Sequence, residues 1–513
     1  MMSRKSRTIL ALAALAAVIG YRAFKPTPEA ATPPAGDPAP VANVPAKPLM
    51  LGSLAFQPCN LSSAASRSRV EAYCTTFEVP EDRANPQGRK IALNVALLQS
   101  GERGKALPDP VFFLAGGPGQ SAVESGPLLV PVFKEVRKQR HVLLVDQRGT
   151  GKSNLLSCDG GDEDAADTSA TAMQAMAQRC VEVLSAKADL RHYTTTDAIA
   201  DLDDVRKAIG AAQVNLLGVS YGTRVAQQYA MRYPAATRSI VLDSAVPNTQ
   251  GLGNIFARNL DDALALQFAL CTKDPLCKEK LGDPRAELDA LLAKLRAQPA
   301  TVQYRDASTG ELREGELRAE AVAGLVRMYA YMPAASALLP KLVHEANAGR
   351  YEGLMALSKM IGGDLKEAIA MGMQMSVMCA EGADSMVGRA EDADTVLGNQ
   401  MPDSMAAMCQ VWPKGDVPAD FHKALASDVP ALVLAGEFDP VTPPRYGEDV
   451  VKTLPNGRLF VLRGQGHSVL GAGCMPKLFA QFIERADART LDGACLEKLD
   501  YMAPFTSFNG AEP

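Results

Sequence analysis

Tryptophan and histidine are scarce in this sequence, and its net charge is small. Its 513 residues include one Trp and five His, and 53 basic residues stand against 58 acidic ones, a formal net charge of -5. A single Trp does not supply the aromatic platforms on which sugars stack. A chain without a basic excess, and without a Lys/Arg block beyond its extreme N-terminus, is not expected to bind nucleic acid.

Metal-binding and nucleotide-binding spacings are also missing. The sequence contains no CxxC or HExxH motif and its histidines are scattered. Zinc sites need closely spaced ligands, so no metal is expected, and no other cofactor is predicted. Residues 149–153 read Gly-Thr-Gly-Lys-Ser, but Asp146 occupies the position of the first glycine of a P-loop. ATP or GTP binding is therefore not predicted.

The N-terminal segment is typical of an export signal. Basic residues within the first seven positions precede an apolar stretch of thirteen residues, Thr8–Gly20. This length suits a signal peptide, whereas a membrane-spanning helix needs about twenty apolar residues. We therefore predict a signal peptide or short membrane anchor over residues 1–25, followed by a Pro/Ala-rich spacer over 26–50.

Ten cysteines, an even number, follow that segment. An even count behind an export signal indicates disulfides formed in an oxidising compartment, so we expect a periplasmic or secreted protein. Pairing each cysteine with its nearest neighbour along the chain gives five short loops. The predicted bridges are Cys59–Cys74, Cys158–Cys180, Cys271–Cys277, Cys379–Cys409 and Cys474–Cys495.

Short apolar runs alternate with stretches of helical periodicity. Runs that are apolar at nearly every position are typical of strands buried on both faces of a parallel sheet. The predicted strands are Thr75–Val79, Ile91–Leu98, Val111–Leu114, Val142–Val145, Val214–Leu217, Ser239–Leu242, Ala431–Leu434 and Arg458–Leu462. Strands alternating with helices predict an α/β fold with a doubly wound, mostly parallel sheet.

The long interval between the sixth and seventh predicted strands has little strand character. It is rich in Ala, Leu and Met, and its apolar residues recur at helical spacing. We predict a large helical cap over residues 247–428, inserted between a first core segment, 51–246, and a C-terminal core segment, 429–513.

The segment Gly218-Val219-Ser220-Tyr221-Gly222 has the Gly-x-Ser-x-Gly pattern of a nucleophile elbow. It follows a predicted strand and precedes a helical stretch, the context in which a sharp turn exposes a serine hydroxyl. Alone, the pattern also fits a glycine turn at a helix start, with the serine as a cap. The strand before it and the helix after it favour Ser220 as a nucleophile.

A serine hydroxyl needs a base to take its proton. His467, in Gly-Gln-Gly-His, follows the last predicted strand, and the other four histidines stand beside no such signal. Asp439 follows the preceding strand, although alone it would read as a turn residue before Pro440. The chain order Ser220, Asp439, His467 is the one expected after a nucleophile elbow, so we predict these three as the catalytic residues.

A glycine-rich loop, Gly116-Gly117-Pro118-Gly119, follows the predicted strand Val111–Leu114. A loop at that place can supply one N–H to an oxyanion, and the residue after the nucleophile supplies the other. Gly117 and Tyr221 are the predicted oxyanion-hole residues. The alternative for the glycines is a plain tight turn.

Taken together, these motifs resemble those of the proline iminopeptidase and tripeptidyl aminopeptidase family of α/β-hydrolases. The resembling segments are GGPGQS (116–121), DQRGTGKS (146–153), TTTDAIADLDDVRKAIG (194–210), NLLGVSYGTRVAQQYAMRYP (215–234), PALVLAGEFDPVTPP (430–444) and GQGHS (464–468). The resemblance implies the α/β-hydrolase fold, a cap over the triad and cleavage of peptides with a free N-terminus. Two departures are Ala115, where many iminopeptidases have His, and Ser468, where Gly is common.

The resemblance also implies that acidic cap residues hold the substrate's ammonium group. Met378-Cys379-Ala380-Glu381 is similar to the family's Cys-x-acid segment, so Glu381 is the predicted substrate-binding residue. The alternative is a solvated surface Glu, in which case Asp384 or Asp403 would hold the ammonium.

The leading hypothesis is an exported serine aminopeptidase that works through an acyl-enzyme, with a free-N-terminus peptide as its partner. A carboxylesterase that uses the same triad on small esters is the nearest rival, and a requirement for a free amine separates the two. A non-catalytic binding protein on a hydrolase scaffold is the alternative from another class. The intact set of catalytic residues argues against it.

Overall fold

A computed structural model of the chain describes residues 47–63, 66–101, 105–158, 169–253, 256–306 and 309–511. The predicted signal or anchor segment, 1–25, and most of the predicted spacer lie outside the described residues. Among the described residues, no helix combines the length and the apolar character needed to cross a membrane.

Within the described residues, ten strands form one sheet with the order β1-β2-β3-β4-β6-β5-β7-β8-β11-β12, and β9 and β10 form a separate hairpin. The strands β6, β5, β7, β8, β11 and β12, in this order across the sheet, each run parallel to their neighbours. The strands β1 to β4 and the β4–β6 pair are antiparallel. The predicted mostly parallel sheet is confirmed. The strands are β1 (Leu49–Leu51), β2 (Leu54–Ser63), β3 (Ser66–Pro80), β4 (Lys90–Leu98), β5 (Val111–Leu114), β6 (Val142–Val145), β7 (Val214–Val219), β8 (Thr237–Asp243), β9 (Ala300–Arg305), β10 (Leu312–Leu317), β11 (Ala431–Gly436) and β12 (Gly457–Leu462).

Helices cover both faces of the sheet, which explains why the central strands β5 and β6 are apolar at every position. Along β5, Val111 and Phe113 pack into one buried layer, and Phe112 and Leu114 pack into the other. Such alternation places successive side chains on opposite faces. The helices are α1 (Ala122–Phe133), α2 (Ala170–Ser185), α3 (Thr195–Ala208), α4 (Tyr221–Arg232), α5 (Phe256–Lys273), α6 (Pro275–Leu281), α7 (Pro284–Ala297), α8 (Ala319–Ala330), α9 (Pro333–Ser336), α10 (Leu339–Asn347), α11 (Glu352–Ala368), α12 (Met371–Glu381), α13 (Gln400–Cys409), α14 (Pro444–Val451) and α15 (Met475–Arg485).

The chain between β8 and β11 is mainly helical, as predicted, and includes α5 to α13. Its helices enclose an apolar core of their own, to which Leu264, Leu288 and Val326 contribute. The β9–β10 hairpin in this insertion was not predicted. Most of β10 is exposed and polar, so it carries no apolar alternation that would indicate a strand.

All five predicted disulfides are present, and none of the ten cysteines is free. Cys59–Cys74 joins β2 to β3, and Cys379–Cys409 joins the end of α12 to the end of α13. Nearest-neighbour pairing succeeds because each bridge links elements that are adjacent both in sequence and in space.

Candidate active site

Ser220 lies at the turn between β7 (Val214–Val219) and α4 (Tyr221–Arg232). Its φ of 55° and ψ of -123° belong to a region that residues with a side chain rarely adopt. The Ser220 N–H donates to the carbonyl of Asp243 at 2.9 Å, and its carbonyl accepts the N–H of Thr223 at 2.9 Å. These bonds hold the strained turn of a nucleophile elbow at the carboxyl end of the parallel strands.

Close backbone contacts explain the two flanking glycines. A Cβ atom at Gly218 would lie 2.2 Å from the carbonyl oxygen of Gly222. One at Gly222 would lie 2.1 Å from the carbonyl oxygen of Leu114. A side chain at Gly218 would push apart the two ends of the turn, and one at Gly222 would push the turn away from β5. The Gly-x-Ser-x-Gly pattern is therefore a packing requirement of this turn.

The glycine loop after β5 lies directly against the nucleophile. A Cβ atom at Gly116 would come within 3.1 Å of the Cβ of Ser220. Gly117 is exposed and has a φ of 105°, which favours glycine. Tyr221 is the first residue of α4, where a backbone N–H has no acceptor within the helix. Each predicted oxyanion donor is thus a backbone N–H of a residue that follows directly after this contact between Gly116 and Ser220 in the chain.

The loop is held in place by Asp146, which follows β6. Its carboxylate accepts the hydroxyl of Ser121 at 2.6 Å, the N–H of Val123 at 3.0 Å and the side-chain amide of Asn94 at 2.8 Å. The second oxygen also accepts the N–H of Lys152 at 3.2 Å. The segment that resembles the end of a P-loop therefore positions the glycine loop.

Asp439 and His467 follow β11 and β12, and their side chains are hydrogen-bonded. Nδ1 of His467 lies 2.8 Å from Oδ2 and 3.0 Å from Oδ1 of Asp439. Burial alone would lower the pKa of His467, but the charge and hydrogen bond of Asp439 outweigh it and raise that pKa above 6.5. Burial likewise opposes ionisation of Asp439, yet His467 and two backbone N–H groups lower the pKa of this carboxyl.

Thr442 completes this pair and was not predicted from the sequence. Its hydroxyl donates to Oδ2 of Asp439 at 2.8 Å and lies 3.2 Å from Nδ1 of His467. Its backbone N–H donates to Oδ1 of Asp439 at 2.8 Å. The position three residues after the acid was a signal in the sequence, because a threonine there can cap the turn around the carboxylate.

A second buried carboxylate, Asp243, fixes the loop that follows His467. It accepts the N–H groups of Val469 at 2.9 Å and Leu470 at 3.0 Å. Ser468 adopts a φ of 66°, and its hydroxyl donates to Asp243 at 3.2 Å. The departure from glycine at position 468 is therefore accommodated at a left-handed position by one added hydrogen bond.

Glu381 is not at the surface. It is 2 % exposed, and its carboxylate accepts the N–H of Thr195 at 2.7 Å and the hydroxyl of the same residue at 2.9 Å. The Thr195 hydroxyl lies 2.6 Å from the hydroxyl of Tyr221. Burial raises the pKa of Glu381 to about 7, although Thr195 and the charge of Arg224 act in the opposite direction.

This geometry differs from the predicted substrate-binding role. A carboxylate that meets a peptide ammonium needs a surface open to the substrate, and Glu381 instead faces buried groups of the hydrolase core. The sequence signal for it was a short motif, which does not reveal burial. Asp384 and Asp403, the predicted substitutes, are both exposed.

A cleft of about 640 Å³ lies between the helical insertion and α2 of the core. It is lined by the face of α8 that carries Glu320 and Arg327, by residues within 393–404 and by Met173 of α2. The size is within the range of pockets that bind small ligands and short peptides.

The structure places Gly116, the residue before Gly117, against Ser220, the residue before Tyr221, and it separately joins Asp439 to His467. Among the described residues, no hydrogen bond links the hydroxyl of Ser220 to the imidazole of His467. Such bonds are often long in uncomplexed enzymes and shorten when a substrate binds. The arrangement supplies a positioned hydroxyl, an oriented imidazole and backbone N–H donors, which together can carry out acyl transfer.

Comparison with known proteins agrees with this chemistry. A family model described as alpha/beta hydrolase fold matches residues 109–472. Serine protease Hip1 of Mycobacterium tuberculosis is 26% identical over 479 residues, which cover 85% of this chain and 90% of that protein. Tripeptidyl aminopeptidase of Streptomyces lividans is 28% identical over 250 residues, which cover 44% of this chain and 46% of that protein.

Proposed function

The chain belongs to the α/β-hydrolase family and is a serine hydrolase, and from this premise we propose that it is an exported serine aminopeptidase. The observation that carries the proposal is the hydrogen-bonded pair of Asp439 and His467, at the same edge of the sheet as the strained turn of Ser220. We assign Ser220 as nucleophile, His467 as general base and Asp439 as the residue that orients it.

In the proposed reaction, the Oγ of Ser220 attacks the scissile carbonyl carbon while its proton passes to Nε2 of His467. The charge that develops on the carbonyl oxygen is stabilised by the N–H groups of Gly117 and Tyr221. The imidazolium then gives its proton to the leaving amine as the C–N bond breaks, which leaves an acyl-enzyme. Water repeats the sequence and releases the acyl part.

One comparison favours a peptide over a simple ester as the substrate. Two of the similar proteins are a serine protease and a tripeptidyl aminopeptidase. Both support peptide hydrolysis as the activity.

Export is supported by the five disulfides, because such bonds persist in oxidising compartments. Fractionation of cells that express the full chain, followed by alkylation of free thiols, tests this proposal. We expect the protein outside the cytoplasm without reactive thiols. Recovery of a cytoplasmic protein with free thiols would contradict it.

The activity is tested with matched substrates: peptidyl anilides with free and N-acetylated termini, and phenyl acetate as a small ester. An aminopeptidase cleaves the free-amine anilides with a much higher kcat/KM than the acetylated ones. Ser220→Ala should abolish labelling by a fluorophosphonate and reduce turnover by several orders of magnitude. Equal rates on free and acetylated peptides, or activity on the ester alone, would instead identify another type of serine hydrolase.

A further inference from the structure

The helical insertion contacts the loop that carries His467. Tyr331 directly follows α8 (Ala319–Ala330), and its carbonyl accepts the backbone N–H of His467 at 2.9 Å. A Cβ atom at Gly466 would lie 2.1 Å from the same carbonyl oxygen. The glycine that precedes the base therefore allows the insertion to approach it this closely.

The side chain of Tyr331 also contacts the imidazole. The two ring centroids are 5.0 Å apart and the ring planes meet at 66°, an edge-to-face arrangement. Asp439 and Thr442 both meet the imidazole at Nδ1, so these contacts alone leave the ring free to tilt about that end. The contact with the Tyr331 ring restricts this tilt, and with it the direction in which Nε2 points.

Arg327 holds the Tyr331 ring in turn. Its Nη2 donates to the Tyr331 hydroxyl at 3.2 Å, and its guanidinium carbon lies 5.8 Å from the centroid of that ring. The same guanidinium carbon lies 4.8 Å from the ring centroid of Phe256, at the start of α5. A guanidinium is attracted to the faces of aromatic rings, so these contacts fix it beside Tyr331.

The positive charge of Arg327 acts on the base. Among the described residues no carboxylate pairs with Arg327, and its buried Nε has no hydrogen-bond partner there. Burial lowers the pKa of His467, whereas Asp439 and Asp243, two carboxylates of the core, raise it. The charge of Arg327 lowers this pKa from the side of the insertion. Tyr331 stays neutral, since burial raises the pKa of its hydroxyl.

We propose that Tyr331 and Arg327 are positioning residues for the catalytic base: Tyr331 fixes the tilt of the imidazole, and Arg327 holds the Tyr331 ring against it. The insertion then contributes to the chemical step itself, whatever acyl group is bound. This inference rests on the role of His467 as general base proposed above.

The test measures how fast a fluorophosphonate labels Ser220 in the full chain as a function of pH. This reaction needs the serine and its base but no particular substrate. Arg327→Met removes the charge and the bond to Tyr331 but keeps a long apolar stem. Arg327→Lys keeps the charge without the planar guanidinium, and Tyr331→Phe keeps the ring without the hydroxyl. Arg296→Met is the matched control, the same change at an exposed arginine of α7.

Arg327→Met should be labelled about tenfold more slowly than wild type at the optimal pH, because a misaligned base takes up the proton less well. The acidic limb of its pH profile should move to higher pH, since loss of a positive charge favours the imidazolium. Arg327→Lys and Tyr331→Phe should lose about fivefold in rate, as for one lost hydrogen bond, and keep the wild-type limb. Arg296→Met should behave as wild type.

A wild-type rate and limb in Arg327→Met would overturn the proposal. A slower rate with an unmoved limb would overturn it as well, because a loosened fold lowers the rate without changing the charge near His467. If urea denaturation shows that Arg327→Met does not fold, the two conservative variants decide. Wild-type rates in both Arg327→Lys and Tyr331→Phe would overturn the positioning role.

His467→Ala separates this failure from failure of the assigned base. Labelling of His467→Ala at the wild-type rate would overturn the role of His467 and the inference that rests on it. An inert His467→Ala, together with Arg327 variants that behave as wild type, would overturn the positioning role alone.

Discussion

The backbone N–H of Thr195 donates a 2.7 Å hydrogen bond to Glu381, a residue 186 positions later in the chain. This contact joins the start of α3 in the core to the end of α12 in the insertion. Because the Thr195 hydroxyl also contacts that of Tyr221, the network reaches the residue whose N–H is assigned to the oxyanion hole. The position of α12 and the shape of the oxyanion hole are thus coupled through three buried side chains.

This network predicts a pH-dependent stability that Glu381→Gln removes. Burial raises the pKa of Glu381 to about 7 in the folded protein, against an ordinary value of 4.5. The folded state therefore binds a proton more tightly than the unfolded state, and stability is lost as pH rises from 4.5 to 7. Each pKa unit corresponds to about 1.4 kcal/mol, so the loss is about 3 kcal/mol.

Urea denaturation of wild type and Glu381→Gln at pH 4.5 and 7.5 measures this effect. The variant should gain about 3 kcal/mol relative to wild type between the two pH values, since its amide does not titrate. Glu352→Gln, an exposed change, is the control. A constant difference between wild type and Glu381→Gln would mean that Glu381 stays ionised in the folded state. The activity of Glu381→Gln separates the two roles of this residue. If the variant loses activity on peptides and on the ester together, Glu381 has a structural role. If it loses activity on free-amine peptides alone, the result favours substrate binding.

The rate of the enzyme should depend on pH through His467. Only the neutral imidazole accepts the proton of Ser220, and Asp439 raises the pKa of His467 above 6.5 in spite of burial. We expect kcat/KM to be maximal above this pKa and to fall as pH decreases through it. The measurement is a pH profile of kcat/KM on a substrate that does not itself titrate.

Asp439→Asn is the companion variant for this profile. Removal of the carboxylate leaves burial as the main influence on the imidazole, so the acidic limb should move to lower pH while the residual rate falls by roughly 10⁴. A wild-type limb at or below 6.5, unchanged in the variant, would contradict the assigned role of Asp439.

The sequence predicted those parts of the molecule whose signals are local. Apolar runs located the central strands, and the Gly-x-Ser-x-Gly turn located Ser220. β2 was not predicted, because its exposed positions carry a mixture of polar and apolar residues. It extends the sheet on its antiparallel side by pairing with β3. The burial of Glu381 could not be foreseen either, because it depends on a contact with Thr195 that only the folded insertion creates.

Thr442 illustrates a further limit of local signals, and it leads to a prediction for Thr442→Val. Valine keeps the shape but removes the hydroxyl that donates to Asp439 and lies 3.2 Å from Nδ1 of His467. One acceptor site of a fully buried carboxylate is then unsatisfied, so the orientation of the imidazole is less well fixed. We expect kcat to fall about tenfold with KM nearly unchanged, as for loss of a hydrogen bond to a charged group.

Steady-state kinetics and the pH profile together separate this positioning role from a general loss of stability. The acidic limb of Thr442→Val should shift relative to wild type, whereas a merely destabilised protein keeps the limb. Thr442→Ser restores the hydroxyl and should recover most of the rate. If serine and valine behave alike, the hydroxyl does not matter.

Asp243 should matter for both stability and rate, because it holds the loop after His467. The Asp243→Asn amide can no longer accept all of the N–H groups of Val469 and Leu470, and it places a donor against a donor. We expect a loss of about 2–4 kcal/mol in the free energy of unfolding and a lower kcat, since a misplaced loop displaces the base.

Ser468→Gly is the matched control at the same loop. It removes the hydroxyl bond to Asp243, but the φ of 66° suits glycine, so its net effect should stay within about 1 kcal/mol. Urea denaturation and steady-state kinetics on both variants test whether Asp243 holds the loop after His467. If Asp243→Asn were no more disruptive than Ser468→Gly, the backbone of the loop would hold His467 without this carboxylate.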